Sequence, residues 1–89
     1  MAKNHIADVK QEIQQLAIGN YKSYPDDYEK PMNGEVKENI ESLAKGYWDV
    51  RESKEVARDE RLGISLNDYQ QWTKEAYEQF MTANGHSLN

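Results

Sequence analysis

Apolar residues recur at three- and four-residue steps in three separate stretches of this chain, and that spacing points to helices throughout. In the first stretch, Ala2, Ile6, Val9, Ile13, Leu16 and Ala17 fall within an arc of about 100° on a helical wheel, with Asp8, Gln11, Glu12 and Gln15 away from it. Asn4 can cap the start, and Gly19 with Asn20 can end it, which gives a first helix over about 5–18. The second stretch starts near Asn33, a good capping residue. Val36, Ile40, Leu43, Tyr47 and Val50 form its apolar face, with Ala44 on the flank. Glu38, Glu41, Lys45, Asp49 and Glu52 lie opposite, and Glu41–Lys45 has the favourable i,i+4 order.

The second pattern then loses register. Continuing the helix places Lys54 on the apolar face and Val56 among the polar residues. A break near 52–54 resolves this, with Ser53 capping a short helix over 54–61; otherwise one helix continues and leaves Val56 exposed for a partner. Gly63 then supplies a stop, and Ser65 with Asp68 makes a capping-box pair. Leu66, Tyr69, Trp72, Thr73, Ala76, Tyr77 and Phe80 line one face of a third helix over 66–83, which "ANGH" ends. The predicted fold is therefore all-α: a single-domain bundle of three main helices, about 5–18, 34–52 and 66–83, with short helical segments near 24–29 and 54–61. The expected core is Ile6, Val9, Ile13, Leu16, Val36, Ile40, Leu43, Tyr47, Val50, Leu66, Tyr69, Trp72 and Phe80.

That core is thin. The chain has 89 residues, of which Leu, Ile, Val and Phe make up about 17%. Six Tyr, two Trp and three Met supply the remaining apolar area, and a second copy of the chain could complete some of it. A homodimer therefore stays open.

Half of the tyrosines fall in "YKSYPDDYEKP", residues 21 to 31, between the first two helices. Ser23 and Asp26 have the spacing of a capping box with Pro25 in the first turn, and Pro31 stops the segment. Those roles leave Tyr24, Asp27, Tyr28 and Glu29 in excess. For any one tyrosine the plainer reading is that Tyr21 and Tyr28 lie over the open end of the core with their hydroxyls in water. Three tyrosines interleaved with acids within eight residues have the composition of a recognition surface.

Charge is placed unevenly. The net charge is −5, and residues 26–60 hold eleven acids against six bases, whereas the two ends cancel. Such a chain is poorly suited to a polyanion, whose binding needs clustered Lys and Arg; direct nucleic-acid binding is disfavoured. Carboxylates along the second helix could instead imitate a phosphate array, although Lys37, Lys45, Arg51 and Lys54 offset part of the field. Small acidic phage and plasmid proteins that inhibit restriction or CRISPR nucleases share this general character, as a class analogy. The candidate partner-binding residues are Tyr21, Tyr24, Asp26, Asp27, Tyr28, Glu29, Glu38, Glu41, Asp49 and Glu52, facing a protein with a basic surface.

Other chemistry finds little support. His5 and His86 lie near opposite ends without catalytic spacing, and no Gly-rich phosphate loop is present. With no cysteine there is no disulfide, zinc-thiolate site or thiol nucleophile. Asp26, Asp27 and Glu29 lack the spacing of a calcium loop. No enzyme activity, metal or cofactor is expected. No apolar run approaches a membrane span, and Asp8 and Glu12 interrupt what a signal peptide would keep apolar, so a cytoplasmic protein is expected.

One motif points elsewhere. Leu62, Gly63, Ile64 and Ser65, followed by Tyr69 and Trp72, resemble the turn and recognition helix of helix-turn-helix regulators over about a dozen residues. The resemblance implies a DNA-binding or regulatory domain using residues 54–74. The chain departs from that pattern at Asp59, where a small residue is usual. Its would-be reading residues, Asn67, Asp68, Gln70, Gln71 and Lys74, include one base. A capped turn between packed helices explains the same residues.

Overall fold

The computed structural model describes residues 5–50 and 63–86. These form four helices: α1 (His5–Ser23), α2 (Pro25–Tyr28), α3 (Gly34–Val50) and α4 (Leu66–Ala83). Among the described residues there is no strand. The all-α bundle anticipated from periodicity is the fold found. The expected helix over 54–61 and the break near 52–54 lie outside the described residues.

α4 has a sequence-encoded signal at each end. Gly63 takes φ +85° in the preceding turn. Ser65 then closes the capping box: its Oγ accepts from the Asp68 N–H at 3.3 Å, and Asp68 Oδ2 accepts from the Ser65 N–H at 2.9 Å. At the other end Gly85 takes φ +80°. There the His86 N–H reaches the Met81 carbonyl at 2.9 Å and the Gly85 N–H reaches Thr82 at 3.0 Å. This is a Schellman closure, in which a left-handed glycine lets two terminal carbonyls find donors. α3 starts as anticipated, with Asn33 Oδ1 accepting from the Val36 N–H at 2.8 Å. Its ion pair differs: Lys45 bonds Asp49 at 3.0 Å in place of Glu41.

α1 overruns its predicted end by a turn. Gly19 and Asn20 do not stop it, because Tyr21 continues the four-residue step of Val9, Ile13 and Ala17 and is buried with them. Ser23 Oγ donates to the Gly19 carbonyl at 2.9 Å, so the expected Ser23–Asp26 capping box does not form. Tyr24 stands at the N-cap of α2 with no side-chain bond, and Pro25 opens that single turn.

The core shows why the helices lie as they do. One cluster joins Ala17 and Tyr21 of α1 to Val36 and Ile40 of α3 and to Ala76, Tyr77, Phe80 and Met81 of α4. A second joins Val9 and Ile13 to Ala44, Ile64, Tyr69 and Trp72. α1 and α4 therefore run in the same direction, and α3 runs against both. α4 packs on each of the other long helices, while α1 and α3 scarcely meet. A helix with one neighbour buries one line of side chains, and the buried lines here are strict four-residue steps: 9, 13, 17, 21 on α1 and 36, 40, 44 on α3. Hence three residues expected in the core are not there. Ile6 is 42% exposed, Leu16 48% and Val50 83%. Leu43, Tyr47 and Leu66 are half-buried. Ile64 and Met81, which the pattern passed over, take their places in the core.

Candidate functional site

The α2 end of the bundle carries most of the residues singled out from sequence. Its foundation is Tyr21, whose ring is wholly buried and whose hydroxyl donates to the Thr73 carbonyl at 2.7 Å. Tyr21 thus leaves the candidate surface: it is a core residue. Tyr28 follows it halfway, with its ring centroid 4.6 Å from that of Tyr21 and its side chain half-buried. The chain after α2 is then fastened from α4. The Tyr77 hydroxyl donates to the Lys30 carbonyl at 2.6 Å, and His86 Nε2 lies 3.2 Å from Glu29 Oε1. Lys30 in turn reaches Glu35 at 3.4 Å.

These anchors use up part of the surplus and leave the rest in the open. Tyr24 is 58% exposed, and Asp26 and Asp27 are exposed in the first turn of α2. Neither carboxylate has a hydrogen bond or ion pair among the described residues. The unpartnered triad sits on a backbone pinned to the core on both sides, which lowers the entropic cost of ordering it against a partner.

The acids of α3 separate in a similar way. Asp49 is engaged by Lys45, whereas Glu38 and Glu41 are exposed, have no ion pair among the described residues, and share a shallow depression with Ser42, Lys45 and Gln70. Glu52 lies outside the described residues. The acidic face is therefore discontinuous, with free carboxylates at α2 and at mid-α3.

Burial raises the phenols of Tyr21, Tyr28 and Tyr77 above their ordinary value. It pushes Tyr47 up to about 12, partly countered by the Asn20 side chain, whose Nδ2 donates to the hydroxyl at 2.8 Å. All four stay neutral at physiological pH and serve packing and hydrogen bonding. Among the described residues no group of three or more His, Asp or Glu could hold a metal ion, and no helix is long and apolar enough to cross a membrane.

Two hollows were not legible from sequence. Between α3 and α4 a cleft of about 320 Å³ is lined by Lys37, Ile40 and Glu41 on one side and Asn67, Gln70, Gln71 and Lys74 on the other. Four of the would-be reading residues, Asn67, Gln70, Gln71 and Lys74, thus share a cleft with the acidic Glu41; positions 54–62 of that motif lie outside the described residues. Between α1 and α3 lies a wider apolar groove of about 610 Å³. Gly46 of α3 is among its lining residues, whereas Gly19, also inside a helix, is not. Each forgoes roughly 1 kcal/mol of helix propensity relative to alanine. In neither case does a neighbour demand it, since a Cβ there would meet nothing within 4 Å. Comparison of the chain with known protein families, with curated proteins and with solved structures gives no match.

Proposed function

We propose that this chain is a non-enzymatic protein-binding module that offers Tyr24, Asp26 and Asp27 to a partner with a basic surface. The observation that carries this reading is that these three side chains are exposed and unpartnered on a single turn fastened to the core by Tyr28, Tyr77 and His86. An amphipathic ring beside two carboxylates supplies contact area and charge together, and a net charge of −5 favours encounter with cations over the whole surface. The partner class that fits is a nucleic-acid-handling enzyme, whose basic channel would take Asp26, Asp27, Glu38 and Glu41 in place of phosphates. Inhibition of such an enzyme is the corresponding activity, and the cysteine-free composition suits a cytoplasmic setting.

Affinity capture from the native host, followed by titration calorimetry with the captured protein, tests the reading. Asp26→Lys combined with Asp27→Lys is expected to weaken binding at least tenfold, and Tyr24→Ala by a similar factor. Tyr21→Phe, which touches only the core, is expected to leave affinity unchanged. Full affinity in the double lysine variant would sink the proposal.

A further inference from the structure

Asparagine followed by glycine occurs twice in the chain, at Asn33 and Gly34 and again at Asn84 and Gly85. Asparagine is a labile residue, and a following glycine leaves the next amide nitrogen unshielded by any Cβ. The fold treats the two pairs differently. At the end of α4 both reacting groups are engaged: Asn84 Nδ2 donates to the Phe80 carbonyl at 2.8 Å, and the Gly85 N–H donates to the Thr82 carbonyl at 3.0 Å. At the start of α3 neither is. Gly34 is the first residue of that helix, where an N–H has no intrahelical acceptor, and it finds no other among the described residues. Asn33 Nδ2 has no acceptor among them either, and both residues are exposed.

The bonds that Asn33 does make favour attack on it. The Val36 N–H donates to its Oδ1 at 2.8 Å and draws electron density from the side-chain carbonyl carbon. The Lys37 N–H donates to its main-chain carbonyl at 2.9 Å, in the peptide whose nitrogen must ionise. That nitrogen also lies at the positive end of the α3 dipole, which stabilises an anion there.

From this contrast we infer that Asn33 is a site of spontaneous deamidation in the folded protein. The Gly34 amide nitrogen gives its proton to hydroxide and attacks Cγ of Asn33. The Cγ–Nδ2 bond breaks, Nδ2 takes up a proton and leaves as ammonia, and a five-membered succinimide closes. Water then opens the ring at either carbonyl. One opening gives aspartate at position 33, which keeps a capping carboxylate and adds a negative charge. The other gives isoaspartate, which carries the chain through the former side chain and lengthens the backbone where α3 begins. Nothing proposed for the α2 surface enters this inference.

Peptide mapping by mass spectrometry, with the isoaspartate form resolved by chromatography, tests it on the full chain warmed at mildly alkaline pH. In the folded protein Asn33 is expected to convert at least tenfold faster than Asn84. In guanidinium the two rates should converge, because both asparagines precede glycine. Gly34→Ala should slow conversion of Asn33 at least tenfold with helical circular dichroism retained. A Cβ at that position meets nothing within 4 Å, and alanine is the better helix former. An Asn84 that keeps pace with Asn33 in the folded chain overturns the inference. So does an Asn33 that converts only in guanidinium, or one whose rate Gly34→Ala leaves unchanged.

Discussion

Tyr21 does the work of a core residue while keeping a polar tip, and the position of that tip sets what happens when it is changed. Its hydroxyl reaches the Thr73 carbonyl from inside the bundle at 2.7 Å. Tyr21→Phe should remove about 1 kcal/mol, the usual net value of one hydrogen bond, and lower the melting temperature by about 4–8 °C. Tyr21→Ala should remove about 3–5 kcal/mol, because a ring-sized cavity opens beneath Tyr28 and Phe80. The buried phenols also give the fold an alkaline limit. A phenol whose folded value lies above its unfolded value of about 10 stabilises fully below that pH, and the contribution fades as pH rises through the folded value. With Tyr47 at about 12 and Tyr21 shifted upward as well, stability should be level near neutrality and fall between about pH 10 and 12. Urea midpoints measured across that window check the sign, and Tyr47→Phe should make the fall shallower. In the sequence Tyr21 looked like the first of a surface trio, because Gly19 and Asn20 make a sound stop signal when considered locally. The four-residue step from Ala17 to Tyr21 was the stronger signal, since burying a whole ring outweighs the local cost of one helical glycine.

The elements differ in how fully their limits can be seen in the chain. α4 was bounded correctly at both ends because each end is closed by local chemistry: a reciprocal Ser65–Asp68 cap and a left-handed Gly85. Such signals act within a few residues and need no knowledge of the tertiary fold. Ser65→Ala should therefore cost about 1 kcal/mol, read as a lower urea midpoint at unchanged slope. The apolar faces of α1 and α3 were located but drawn too wide. Leu16 and Val50 belong in the core only if the three helices close around a common axis. Here α4 serves as a shared backing, and each of the other two presents a narrow ridge to it. Sequence periodicity reports which side of a helix is apolar, and it does not report how many neighbours that side will have. The candidate site shows the same division. Tyr24, Asp26 and Asp27 were legible as surplus to the turn, whereas the anchors that hold them, Tyr77 and His86, lie about fifty residues away in the sequence.

At the scale of the molecule, charge decides how far a partner can be felt. The free carboxylates at α2 and mid-α3 act through solvent, so their attraction is screened as the Debye length falls from about 10 Å at 0.1 M salt to about 3 Å at 1 M. Binding of a basic partner should accordingly weaken steadily with added salt, mainly through a slower association rate, which stopped-flow mixing can follow. The parallel course of α1 and α4 also has an optical consequence. It gathers Trp48 and Trp72 at one end of the bundle and Tyr21, Tyr28 and Tyr77 at the other. Indole fluorescence then reports on the end where α4 begins, while phenol absorbance samples both ends because Tyr69 lies between the indoles. The protein thus carries a native dye at one pole, and a difference between its melting curve and that of helical circular dichroism would show that pole loosening apart from the rest.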